Sequence, residues 1–186
     1  MKIKYPGREL YTDRLVLRGA RIADAKYLWE YIYKDYYYHL LYYQIPYQNI
    51  NSLRKDLFIN QIQYMNGPNC YWVFCPKDSI NIPMGTIEIG PDRVNNLCWM
   101  AWIIGKPFAK QGYTFEATQR VVKYVFEDIG FHRIETKIVT DNSDSIQLAE
   151  KLGMKVEGIC KDSWWLPSGY RDQYTYGLLN EHKRKI

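Results

Sequence analysis

At 186 residues, 47% hydrophobic and 24% charged, with a net charge of +5, the chain can bury one ordinary core and is short for two, so residues 1–186 are expected to form a single domain. No apolar run reaches the ~20 residues that span a bilayer, and the opening MKIKYPGREL lacks a signal segment, which points to a cytoplasmic protein with no membrane partner. The basic excess is scattered among 20 acids, whereas nucleic-acid binding needs Lys and Arg gathered beside stacking aromatics, so no nucleic-acid partner is expected.

TDRLVLR (12–18) alternates and predicts a first strand, with Leu15 and Leu17 on one side and arginines outside. ADAKYLWEYIY (23–33) has helical spacing. NSLRKDLFINQIQYM (51–65) predicts a second helix with Leu53, Leu57, Ile62 and Met65 on one face, ended by Gly67-Pro68. CYWVFC (70–75), PMGTIEI (83–89) and LCWMAWII (97–104), joined by turn-rich connectors, predict an antiparallel meander. An amphipathic stretch from Phe115 to Ile129 follows. RIETKIV (133–139) predicts a strand, DNSDSIQLAEKLG (141–153) a short helix closed by glycine, and VEGIC and YRDQYTYGLL (170–179) two last strands around LPSG.

The four cysteines (70, 75, 98 and 160) form no CxxC pair and are expected to be buried free thiols. His39, His132 and His182 lack metal-ligand spacing, so no metal is expected. Eight of the 18 tyrosines fall in YIYKDYYYHLLYYQIPY (31–47). That segment reads either as an irregular loop or as an aromatic wall for a substrate, since phenol faces attract cations and phenol hydroxyls fix polar groups.

GKPFAKQGYTFEA (105–117) runs from a strand into a helix. A helix N-terminus offers unpaired N–H groups and the positive end of its dipole, and Gly112 lets the backbone approach an anion closely. The spacing is neither that of a Walker loop nor GxGxxG. Several separated pieces, in order, resemble the GNAT superfamily of acyl-CoA N-acyltransferases and its RimJ/RimL-like group. TDRLVLRGARIADAKYL is similar to the group's opening strand and helix, and GKPFAKQGYTFEA to its acyl-CoA pyrophosphate loop. FHRIETKIVTDNSDSIQLAEKLGMKVEG (131–158) and WWLPSGYRDQYTYGLL resemble the elements that follow.

The resemblance implies an α/β GNAT fold: a mixed, mostly antiparallel sheet with a V-shaped split between two parallel strands, flanked by helices. It implies acetyl-CoA as acyl donor, held in the split between LCWMAWII and RIETKIV. The pantetheine arm would pair with backbone near Trp102, Ile103 and Ile104. The pyrophosphate would rest on the amides of Ala109, Lys110, Gln111, Gly112, Tyr113 and Thr114. Asn142 and Ser145 would lie at the mouth of the split, with Lys151 nearby on the same helix; helix capping and a solvated face are the competing roles. Ser145 matches the serine proposed in the group as the acid that protonates the departing thiolate.

Acyl transfer from a thioester needs a neutral amine, close approach and donors for the oxyanion. Two base positions familiar in the resemblance carry indoles here, Trp99 and Trp164. Glu88 on the neighbouring strand is the substitute candidate, with Asp162 or water as alternatives. The expected activity is N-acetyltransfer from acetyl-CoA to a primary amine of a protein N-terminus, a lysine or a small molecule, by direct attack in a ternary complex. Trp164-Trp165 and the tyrosine segment would wall the acceptor. The alternative is a catalytically weak acyl-CoA-binding sensor or scaffold, and either a monomer or a homodimer fits.

Overall fold

The computed structural model describes residues 8–34, 47–66, 70–166 and 168–181. One eight-stranded sheet organises them. Its strands are β1 (Leu10–Tyr11), β2 (Leu15–Gly19), β3 (Cys70–Pro76), β4 (Gly85–Asp92), β5 (Leu97–Ile104), β6 (Arg133–Val139), β7 (Lys155–Leu166) and β8 (Gly169–Leu179), in the spatial order β1-β2-β3-β4-β5-β6-β8-β7. Every neighbouring pair is antiparallel except β5 and β6. The helices are α1 (Ala25–Leu28), α2 (Ile50–Asn66), α3 (Tyr113–Lys123) and α4 (Ser143–Lys151). Short π-helical segments extend α1 through Trp29–Tyr33 and α3 through Tyr124–Ile129. The meander, the parallel pair and the terminal hairpin match the expectations from sequence, and β7 runs on well past VEGIC to Leu166.

The sheet is covered on both faces. Leu15, Leu17, Trp72, Phe74, Ile87, Ile89, Cys98 and Met100 pack one face against α3 through Ala117 and Val121. Tyr71, Val73, Cys75 and Ile103 pack the other against α1 and α2 through Leu28, Leu53 and Leu57. Period-two alternation sends successive residues to opposite layers, which is why nearly every residue of β2 and β3 is buried. All four cysteines are free, and burial pushes the thiols of Cys70 and Cys75 up to about 11 and that of Cys98 to about 12.

Two expectations need correction. Arg18 does not face solvent: it is 2% exposed, because the turn Ile22–Asp24 and the Ile80 carbonyl take up its guanidinium. Its guanidinium donates two hydrogen bonds of 2.8 Å to Asp24, which is 3% exposed. In α2, Leu53 and Leu57 are buried, but Ile62 is 47% exposed. Nine residues separate Leu53 from Ile62, about two and a half turns, so they occupy opposite faces. The side chain of Met65, the pair Gly67-Pro68 and tyrosines within 35–46 lie outside the described residues.

Candidate active site

The parallel pair supplies the central geometric feature. β5 pairs with β4 along all of its length, from Leu97 opposite Asp92 to Ile104 opposite Gly85. With β6 it pairs only at Leu97–Arg133, Cys98–Ile134 and Trp99–Glu135. Beyond Trp99 the two strands part, and a V-shaped gap opens toward their C-terminal ends. Two cavities meet at this gap, sharing Trp102 and Ser145 in their walls.

The first cavity, about 240 Å³, runs from β5 at Trp102, Ile103 and Ile104 to the loop at Ala109, Lys110, Gly112, Tyr113 and Thr114, with Lys151 across from them. These are nine of the residues expected to hold the acyl donor. Gln111 is the exception among the loop residues: it is exposed, and its Nε2 donates to the carbonyl of Pro107. Lys110 (φ 61°) and Gly112 (φ 81°) are both left-handed. Two such residues within three curl the chain into the concave form that gathers N–H groups around anions, at the start of α3. A methyl group built on Gly112 would meet only Arg14 Nη2, at 3.5 Å, so the backbone is open to approach. The residues therefore fit the pantetheine and pyrophosphate of an acyl-CoA. Lys151 Nζ sits 4.3 Å from the centroid of the Phe115 ring, an anchor at the rim of the cavity.

Arg14 braces this loop, a role not expected from sequence. Its Nη1 donates to the Gln111 carbonyl at 3.3 Å, and its guanidinium lies 4.4 Å from the centroid of the Tyr113 ring. Its Nε donates to Glu116 Oε2 at 2.6 Å, while Glu116 Oε1 accepts from Thr12 Oγ1 and the Arg14 amide. Burial opposes ionisation of Glu116, but these hydrogen bonds outweigh it and hold the carboxyl below its ordinary range.

The second cavity, about 430 Å³, is lined by Glu88 of β4, Trp99 and Trp102 of β5, Glu135 and Lys137 of β6, Gln173 and Thr175 of β8, Trp164 of β7, and Asn142 and Ser145 of α4. It brings together both catalytic candidates and both indoles. Glu88 is not a solvent-facing strand carboxylate. Burial, reinforced by the charge of Asp56 on α2, pushes its carboxyl up to about 7, which suits a group that exchanges protons near neutrality. Asp56 itself accepts from Tyr47 Oη at 2.6 Å and from Asn60 Nδ2 at 3.2 Å.

Asn142 lines this second cavity rather than the first, and its Oδ1 accepts from the Ser145 amide at 3.1 Å as the N-cap of α4. The cap leaves the Ser145 side chain in the wall shared by both cavities. Asp162 is exposed on β7 and lines neither cavity. Trp165, next to Trp164, is 48% exposed and also lines neither. Glu135 and Lys137 were overlooked in the sequence, although the alternation of RIETKIV places both on one face. Asp56 had no local signal, since its effect depends on α2 packing over β3 and bringing its charge near Glu88.

The family model described as an acetyltransferase (GNAT) domain matches residues 14–155, and the chain belongs to that family. By class it is an acetyl-CoA-dependent N-acetyltransferase. The uncharacterized N-acetyltransferase p20 of Bacillus licheniformis is 26% identical over 172 residues, 91% of this chain and 95% of the relative. The ribosomal protein uS5-alanine N-acetyltransferase of Escherichia coli is 24% identical over 182 residues, 93% of this chain and 91% of the relative. RimJ of Mycobacterium smegmatis, solved in complex with CoA-disulfide, shares the fold with a TM-score of 0.84 at 16% identity, covering 97% of this chain and 91% of its own. Among the described residues, no helix is long and apolar enough to cross a membrane.

Proposed function

We propose that the protein acetylates a primary amine seated in the larger cavity, by direct attack in a ternary complex, with Glu88 as base and Ser145 as acid. The observation that carries this reading is the convergence of Glu88 and Ser145 on one cavity that also borders the donor cleft. Acetyl-CoA supplies the activated acetyl group as a thioester. Trp102, Ile103, Ile104 and the loop from Ala109 to Thr114 hold the donor, with Lys151 at the rim and Asn142 fixing the start of α4.

An ammonium cannot attack, so the amine must first lose a proton. Glu88 receives it: with a carboxyl near 7, a substantial fraction is ionised at neutral pH and the proton is held strongly once taken. Glu88 and the Trp99 indole lie along the same cavity wall, where a carboxylate and an aromatic ring both favour the cationic form of the amine. Ser145 Oγ, in the shared wall, gives its proton to the departing sulfur.

The acceptor is an amine on a protein or a small compound. The relative from Escherichia coli is named for an alanine of ribosomal protein uS5, which supports testing peptide N-termini first, beside lysine and small amines. The experiment is calorimetric titration with acetyl-CoA, with ATP and NAD as controls, followed by thiol release on a panel of amines. Selective micromolar binding and amine-dependent thiol release are expected. Binding without release on any amine would leave the acyl-CoA-binding sensor as the better reading.

A further inference from the structure

Trp164 lines the larger cavity, and one polar atom of its side chain is left over. Trp164 Nε1 is shielded from solvent and meets no hydrogen-bond acceptor among the described residues. An indole N–H only donates, and it does not ionise in the working range of an enzyme. A shielded donor without a partner is rare in native structures, and a ligand is one of the few things that explains it.

The local fold is built to place that group. Between the pairs Cys160–Gln173 and Trp164–Arg171, three β7 residues face the single β8 residue Asp172. Such bulges re-aim side chains. This one is pinned at every position. Asp172 Oδ2 accepts from Lys161 Nζ at 2.6 Å, Asp172 Oδ1 accepts from the Asp162 amide at 2.9 Å, and Ser163 Oγ donates to Gln173 Oε1 at 3.2 Å. Asp162 adopts a left-handed backbone (φ 46°) to complete the turn. The Thr140 amide donates to the Asp172 carbonyl, which ties the bulge to the loop leading into α4. Trp164 thus turns into the cavity while Trp165 points away.

Its location decides which reactant it meets. β6 and β8 lie between β7 and β5, so at least ~14 Å of sheet separates the Trp164 backbone from the strand that holds the donor. Glu88 stands at the other end of the cavity, on β4. An amine reacting between Glu88 and the split has its remaining atoms directed toward Trp164. We propose that Trp164 is a specificity residue for the acceptor: its indole N–H binds an oxygen, such as a carbonyl, carried by the body of the amine substrate. This inference rests on the acetyltransfer reading above. A plain alkylamine would leave the N–H unmet, so the site discriminates against it.

The test compares glycylglycinamide with n-hexylamine, which match in chain length and differ in their carbonyls. In ¹⁵N-labelled protein saturated with CoA, the six tryptophans provide six indole resonances, and Trp164→Phe identifies one by its loss. Trp164→Tyr serves the same purpose if the first variant fails to fold. The Trp164 resonance is expected to move downfield with glycylglycinamide and to stay in place with hexylamine. In parallel, the ratio of kcat/KM for the two amines should fall roughly ten-fold in the variant, the worth of one hydrogen bond. A resonance unmoved by glycylglycinamide at its highest soluble concentration overturns the proposal. So does a resonance moved equally by both amines, or one already moved by acetyl-CoA alone. Absence of thiol release with every amine would instead strike the acetyltransfer reading, while the resonance would still report the contact.

Discussion

The Trp99 indole fills the space over Gly90, its partner in the β4–β5 ladder: a methyl group built on Gly90 would lie 2.2 Å from the ring atoms Cε2 and Nε1. Glycine at 90 is what allows an indole at 99 to lie along the sheet beside Glu88 rather than project from it. Gly90→Ala should therefore displace the indole and raise KM for the amine several-fold. Affinity for acetyl-CoA should hold, because neither residue lines the donor cleft. Steady-state kinetics with calorimetry separates the two, and an equal loss in both would mean that the sheet itself had shifted.

Glu88 gives two linked pH predictions. As the base, it must be ionised in the free enzyme, so kcat/KM should rise with pH through about 7. Glu88→Gln should remove that inflection and lower kcat by about 10²–10⁴. An unaltered profile would assign the proton to water. Stability should move in the opposite sense. The folded carboxyl binds its proton more tightly than the unfolded one, so its contribution is complete below the ordinary carboxylate range and is lost as pH rises through about 7. The Tm of Glu88→Gln relative to wild type should therefore rise by roughly 5 °C between pH 5 and pH 8. Paired melting curves at the two pH values measure it.

Ser145→Ala keeps the backbone amide that caps onto Asn142 Oδ1, so α4 should remain as stable as before. If Oγ supplies the proton to the departing sulfur, kcat should fall about 10²-fold or more, with acetyl-CoA affinity nearly unchanged. Unchanged turnover at saturating substrates would remove Ser145 from the chemistry. Asn142→Ala provides the contrast, costing about 1 kcal/mol through loss of the cap.

The buried pair Arg18–Asp24 predicts a large effect far from the cavities. Asp24 also accepts from the Arg21 amide at 2.8 Å. Asp24→Ala leaves the buried guanidinium of Arg18 uncompensated and should cost about 3–5 kcal/mol. The double change Arg18→Met with Asp24→Leu should recover most of that loss in urea unfolding, since no buried charge is left alone.

Much of the fold was legible because its signals are local. The apolar run LCWMAWII, the alternation of RIETKIV, the polar start of α4 and the glycine turn before α3 each act within a few residues. Where a local pattern depended on a partner, it misled. TDRLVLR reads as half-buried, yet Arg18 is enclosed because Asp24 and the distant Ile80 carbonyl take up its guanidinium. Leu53, Leu57, Ile62 and Met65 of α2 read as one face, yet Ile62 is exposed because only the Leu53–Leu57 stripe meets the sheet.

The site divides along the same line. The residues expected to hold the donor come from two short stretches, β5 with its following loop and α4 with its N-cap, so their order along the chain already groups them. The larger cavity, proposed to seat the acceptor, is assembled from five strands and a helix. Whether Glu88 is solvated or buried depends on what α2, packed over β3, brings near it, and whether Trp164 points in or out depends on a bulge held by Asp172. The sequence by itself determined the family fold and the class of chemistry, since backbone hydrogen bonding and turn conformation are set locally. Only the tertiary structure decided that Glu88 is desolvated and that Trp164 turns into the larger cavity, because desolvation and side-chain direction are properties of the packed neighbours.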